Sequence, residues 1–268
     1  MSHPLFDLSG RVAMVSGLPM AWVGRWLSVL LKRAQTSSSL TSIFPGAELT
    51  AGEIEPLGGR VLAIACDVSD TEQIRNLYTI IDSEFGRVDV VGNVAGEGNV
   101  GRPEDLPLDK VQEALQNLVV GRFASCQEAG RRMLEQGRGS IINFGSIGGW
   151  NSLGRGHAPY GMAMGAVIQM TRELSTEWAS RGVRVNAILP AQVWNDGLRK
   201  RVAEVPELEE TFKGGIPMGR LGNPEEIKGP AIFLASDASS FVNGAILPMD
   251  GGNLALNAGG TYPGSPRT

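Results

Sequence analysis

Short apolar runs alternate along this chain with longer stretches in which apolar residues recur at helical spacing. The runs at 11–16 (RVAMVS), 61–66 (VLAIAC), 88–91, 140–144 (SIINF), 183–189 (VRVNAIL) and 245–248 are too short for helices and are closed by Gly, Asp, Asn or Pro. They predict buried strands. Between them, 70–85 carries Ile74, Leu77, Tyr78 and Ile81 on one helical face, with Asp70 as N-cap. Residues 108–136 form a long helical stretch stopped by Gly137 and Gly139, and 158–181 and 224–235 read as further helices. Strands alternating with helices imply parallel β-α-β units. The expected fold is α/β: a Rossmann-type, doubly wound parallel sheet with helices on both faces, as a single domain over 1–256. Residues 257–268, rich in Gly and Pro, read as a loose C-terminal tail. In such sheets ligands bind beyond the carboxyl ends of the strands.

Composition narrows the function classes. A chain of 268 residues with 42% apolar and 19% charged residues is an ordinary globular protein with a large core. Its net charge is −4 and its Lys and Arg are scattered, which argues against nucleic-acid and anionic-membrane partners. No apolar run reaches membrane-spanning length, and the N-terminal segment lacks an apolar signal core, so a cytoplasmic protein is expected. Cys66 and Cys126 are far apart and read as two reduced, buried thiols. With two His and two Cys unclustered, no metal site is expected.

Three segments carry a family resemblance. The first is Asn143-Phe144-Gly145-Ser146, with Tyr160 fourteen residues later on a helix. The second is 181–190 (RGVRVNAILP). The third runs from 220–227 (RLGNPEEI) through 233–237 (FLASD) to Asp250-Gly251-Gly252. Together they resemble the short-chain dehydrogenase/reductase family, over most of 58–253. The resemblance implies a nicotinamide-dependent oxidoreductase that interconverts a secondary alcohol and a ketone, with NAD or NADP as cofactor. It also implies a small-molecule alcohol or ketone substrate, and a homotetramer or homodimer with the segment near Gly252 at a subunit interface. By the same resemblance, Ser146 hydrogen-bonds the substrate oxygen and Tyr160 exchanges a proton with it. Gly17 belongs to the cofactor turn, Asp67 and Val68 meet the adenine, Asn93, Ala95 and Gly96 line the adenosine side, and Pro190 and Val193 border the nicotinamide. Substrate contacts fall on Trp150, Trp194, Leu198 and His157.

The sequence also departs from the family pattern. Where the family has a lysine one helical turn after the tyrosine, this chain has Met164, which offers neither charge nor donor. That lysine favours a tyrosinate and donates to the cofactor ribose. Arg155 and His157, in the loop before Tyr160, are candidates to supply charge or a proton relay; exposed loop residues are the plainer reading of both. The relay asparagine of the preceding helix aligns with Leu118. Asn117 lies one residue earlier, ~100° round the helix, and is the candidate for that role. Val94 stands where a second asparagine is usual. The glycine-rich turn is reduced to Gly17-Leu18-Pro19-Met20-Ala21-Trp22-Val23, and 35–42 (QTSSSLTS) is a poor buried strand.

One event would explain the last two departures. With a suitable choice of codons, reading 31–42 one nucleotide earlier gives Ala-Glu-Ala-Gly-Ala-Asp-Val-Val-Val-Ala-Asp-Ile: a helix end, a glycine, a strand and a terminal acid. A frameshift over 18–43 is therefore one reading of this segment, checked by the gene sequence, and the terminal acid implies NAD rather than NADP. Two further readings stand beside the oxidoreductase. One is a pseudoenzyme, a non-catalytic relative that acts as a subunit partner or is a decayed gene product. The other is a redox-independent enzyme on this scaffold, such as a halohydrin dehalogenase. It ranks lower because Met164 cannot play the arginine that such enzymes place there.

Overall fold

The computed structural model describes residues 3–17, 39–43, 60–96 and 98–256. Seven parallel strands form one sheet: β1 (Ala13–Ser16), β2 (Ser39–Ile43), β3 (Arg60–Ile64), β4 (Val90–Asn93), β5 (Gly139–Phe144), β6 (Val183–Pro190) and β7 (Ile246–Met249). Their order is β3-β2-β1-β4-β5-β6-β7. The chain thus winds outward from β1 in both directions, and the crevice between β1 and β4 is the switch point where doubly wound sheets bind ligands. This is the α/β fold that the alternation predicts.

Residue alternation explains why the sheet is buried on both faces. Ala13, Val15, Val90, Ile142 and Ile188 pack on one side with Ile227 and with Ala231 and Leu234 of the helix that follows it. Met14, Val91, Ile141, Val183 and Val185 face the other side, against Tyr78, Leu118, Met133 and Val167. Successive strand residues point to opposite faces, so a strand covered on both must be apolar throughout.

The helices are α1 (Thr71–Phe85), α2 (Leu108–Leu115), α3 (Gly121–Gln136), α4 (Ala158–Trp178), α5 (Asp196–Glu204), α6 (Glu207–Gly214), α7 (Lys228–Ala235) and α8 (Asn253–Leu256). Asp70 caps α1 as expected, its carboxylate accepting from the backbone N–H groups of Glu72 and Gln73. The stretch 108–136 is continuous but not uniform: Gln116–Val120 is a π turn between α2 and α3. Three elements differ from the sequence expectation. The segment read as a poor strand contributes β2, whose backbone pairs with β3 along its whole length and with β1 from Leu40 to Ile43. Ladder hydrogen bonds need no particular side chain, so the gap between β1 and β3 overrides weak strand propensity. And α5 and α6, unassigned by periodicity, follow β6, with Asn195 capping α5 through Leu198. The altered turn at 18–23 and the tail at 257–268 lie outside the described residues.

A chain of polar side chains crosses the core beneath the strand ends. The Tyr78 hydroxyl lies 3.0 Å from Ser125 Oγ, which donates to Asn93 Oδ1 at 2.7 Å. Asn93 Nδ2 donates to Asn143 Oδ1 at 3.0 Å, and Asn143 Nδ2 to Thr171 Oγ1 at 3.0 Å. It joins α1, α3, β4, β5 and α4, so the elements that carry the site are held in fixed register.

Candidate active site

Ser146 lies two residues past the end of β5. It caps a short 3-10 turn, Ile147–Gly149, by accepting the Gly148 N–H at 3.1 Å. Its hydroxyl hydrogen is therefore left to donate elsewhere. The turn rests directly on α4: a Cβ on Gly149 would lie 2.4 Å from the Met164 carbonyl carbon. This glycine contact brings the turn after β5 against α4 one helical turn beyond Tyr160. The Tyr160 ring is half-buried, edge-on to His157 with centroids 6.2 Å apart. Gly98 packs on its other side, where a Cβ would approach Cδ2 to 2.9 Å.

Ser146 and Tyr160 line one cavity of about 580 Å³ at the carboxyl ends of β4, β5 and β6, within the ~300–1,000 Å³ of ordinary ligand sites. Ala95, Gly96, Pro190 and Val193 line it too. Val193 is fixed by a parallel bridge to Gly222, whose lack of a side chain admits it: a Cβ there would meet Val193 Cγ2 at 2.8 Å. Of the expected substrate contacts, His157 and Leu198 line this cavity, whereas Trp150 lines a neighbouring one with His157. Met164 is 1% exposed, lines the cavity floor and brings no charge to it.

The structure separates Asn117 from this group. Leu118 lines the cavity with Tyr160, while Asn117 lines a narrower groove with Ser16, Val68, Asn93 and Ala95. The one-residue offset puts the two side chains on different faces of the π turn, so Asn117 does not stand with Ser146 and Tyr160. Its Oδ1 is buried with no hydrogen-bond partner among the described residues. Asn93 is fully buried, its side chain held by Ser125, Asn143 and Cys126 in the core network. Ala95 and Val94 are fixed by their N–H groups, which donate to Ser16 Oγ at 3.3 and 3.1 Å. Asp67 sits past the end of β3, its carboxylate accepting from Ser69, with Val68 next to it. Gly17 directly follows β1. Burial pushes the Cys126 thiol up to about 12 and the Cys66 thiol up to about 11, which keeps both protonated.

One functional candidate escaped the sequence reading. Arg122, in the first turn of α3, is 5% exposed and lines the cavity with Tyr160 and Met164. Its Nη1 donates to the Phe144 carbonyl at 2.7 Å and its Nη2 to the Ala95 carbonyl at 3.0 Å. Nε has no partner among the described residues. Desolvation pushes this guanidinium down to about 10, and the Tyr160 oxygen acts the other way, favouring its charge. The signal was present: Leu118, Arg122, Cys126, Ala129 and Met133 form one inward stripe, and an arginine interrupts it. Farther out, Arg155 and Arg201 line the same cavity, Arg155 lying 4.9 Å over the Phe212 ring. Burial and then the Arg201 charge hold the Arg155 guanidinium below its ordinary range. Among the described lining residues there is no carboxylate.

Comparison with known proteins fits this geometry. A family model described as Enoyl-(Acyl carrier protein) reductase matches residues 33–253. The chain belongs to the short-chain dehydrogenase/reductase family. It is 34% identical over 247 residues to D-threitol dehydrogenase of Mycolicibacterium smegmatis, covering 92% of this chain and 94% of the relative. It is 33% identical over 258 residues to 2-dehydro-3-deoxy-D-gluconate 5-dehydrogenase of Pseudoalteromonas atlantica, covering 92% and 97%. Among solved structures, an NAD+-bound xylitol dehydrogenase superposes with a TM-score of 0.83 at 26% identity, covering 90% of this chain and 98% of that one.

Proposed function

We propose that this short-chain dehydrogenase/reductase is an NAD(P)-dependent oxidoreductase that interconverts a secondary alcohol and a ketone, with NAD favoured. The observation that carries the reading is the convergence of Ser146 and Tyr160 on one cavity at the strand ends, bordered by Pro190 and Val193. Two features of the described residues fit a dinucleotide. The unpartnered acceptor Asn117 Oδ1 is buried beside Gly96, and Asn117 lines the narrow groove with Val68, so a donor from the adenosine end of a cofactor would satisfy it. Gly96, at φ +131°, packs closely against Leu118 and Asn117 where no Cβ fits, so the chain at the end of β4 carries no side chain there. Asp67, Val68, Ala95 and Gly96 would hold the adenosine end and Pro190 and Val193 the nicotinamide end; Asn93 would act through its backbone. When bound, the cofactor supplies the hydride acceptor or donor.

The chain's own residues then do the rest. Ser146 donates its hydroxyl hydrogen to the substrate oxygen, and Tyr160 exchanges a proton with that oxygen. Arg155 and Arg201 line the outer cavity with no carboxylate beside them, which favours a polyhydroxylated substrate carrying an acid group. The sugar-acid relative is consistent with this class. A homotetramer or homodimer is part of the reading, and exposed Val120 and Phe123 offer apolar surface for it.

One observation favours the alternative of a non-catalytic relative: the residue one turn after Tyr160 is the buried, uncharged Met164. The deciding experiment screens the purified protein with NAD+ and NADP+ against neutral polyols and polyhydroxy acids. Turnover, greater with the acids, is expected. A protein that binds cofactor but turns over nothing would favour the non-catalytic relative.

A further inference from the structure

A phenol that takes a proton from a substrate hydroxyl must spend part of the cycle as a phenolate, and a phenolate in a half-buried site needs a positive charge close by. Met164 cannot provide one. The groups that line the cavity with Tyr160 and bear on its oxygen are Ser146, two residues past β5, Leu118 and Arg122 from the long helical stretch, and Arg155 and His157 from the loop before α4, with Arg122 and Arg155 both within electrostatic reach of Tyr160. Arg155 is exposed and stacked on Phe212 at the outer wall. Arg122 is the one buried Lys or Arg among the described residues. No described carboxylate lines the cavity to neutralise it.

We infer that Arg122 is the positioning cation of this site: a buried guanidinium, anchored on the Phe144 and Ala95 carbonyls, that stabilises the Tyr160 phenolate in the chemistry for which residue 164 brings no charge. The inference rests on the oxidoreductase reading for its catalytic consequence, but not for the electrostatics. The anchoring explains how a long, flexible side chain keeps a fixed direction in an apolar floor. Two of its nitrogens are spent on backbone carbonyls, and Nε is left without a protein partner. In alcohol oxidation the substrate O–H bond breaks and the Tyr160 O–H bond forms, so the phenolate charge that Arg122 faces passes to the substrate oxygen. The guanidinium keeps its own proton throughout.

The test compares Arg122→Lys, Arg122→Gln and the double variant Arg122→Gln/Met164→Lys with the wild-type chain, each with and without Tyr160→Phe. Absorbance titration of the cofactor-free proteins, subtracting each Tyr160→Phe partner, isolates the Tyr160 phenolate from the other tyrosines. It is expected to develop at lower pH in wild type and Arg122→Lys than in Arg122→Gln. Turnover in Arg122→Gln is expected to fall by ~10²–10³, with Arg122→Lys close to wild type and partial recovery in the double variant. Equal losses in Arg122→Lys and Arg122→Gln, with unchanged titrations, would reduce Arg122 to a tie between strand ends and overturn the inference. Wild-type activity and titration in Arg122→Gln would overturn it as well. A titration difference in a protein that oxidises nothing would uphold Arg122 and remove the oxidoreductase reading instead.

Discussion

Tyr160 and Ser146 meet at the cavity through two different local devices, a helix start and a strand-end turn. Removing the phenol oxygen leaves the ring packed on Gly98 and His157 but takes away the group proposed to exchange the proton. Tyr160→Phe is therefore expected to lower kcat by ~10²–10⁴ while the protein melts as wild type does; comparable kcat in a steady-state assay would remove Tyr160 from the chemistry. The family resemblance, not periodicity, named Ser146, Tyr160, Pro190 and Val193, and the fold brings the four to one cavity; the roles proposed for them there await the assays. The place of Asn117 was not legible, because its face depends on a π turn that no periodicity reveals. Arg122 was hidden for a related reason: a single arginine in an apolar stripe reads as a solvated edge until the helix is seen to be covered on that side.

Elements place these residues through close backbone contacts. Gly149 lets the turn after β5 sit on α4, and an added methyl group would meet backbone atoms of Met164 and Gly165 at 2.4–2.7 Å. Gly149→Ala should cost about 1–3 kcal/mol, a fall in Tm of ~2–10 °C for a chain of this size, together with lost turnover as Ser146 moves from Tyr160. An unchanged melting curve in calorimetry would show that the turn is not held this way. The 3-10 turn Pro224–Ile227 that leads into α7 offers a pH prediction. The Glu226 carboxylate, held by Arg220 and the Asn223 N–H, is drawn from its ordinary 4.5 down to about 2. A lowered carboxyl stabilises the fold above its unfolded value, and that contribution is lost as pH falls through the folded one. The stability advantage of wild type over Glu226→Gln, which keeps the cap, should shrink as pH drops from 4.5 to about 2. The pair is partly exposed, so the effect is small; a gap independent of pH in thermal melts would contradict it. Element type was readable from periodicity for the long helices and for strands such as β5 and β6. β2 was not, because its place is set by the strands on either side, and α5 and α6 were not, because they are short and lie over the cavity rather than in the core.

At the scale of the whole molecule, the winding of the sheet was readable from the alternation of elements, since parallel strands require crossover helices. What the sequence could not supply was the division of the strand ends into two spaces: a narrow groove with Asn117 and a wider cavity with Ser146, Tyr160 and Arg122. A dinucleotide lying across the switch point would span both, with its nicotinamide end beside Val193 and the adjoining Trp194. Cofactor binding is therefore the deciding property of this protein. The most direct measurement is titration of the purified protein with NADH and NADPH, following energy transfer from tryptophan to the reduced nicotinamide. Saturable binding, tighter for NADH, is the predicted result. No transfer with either form up to millimolar concentrations would contradict it.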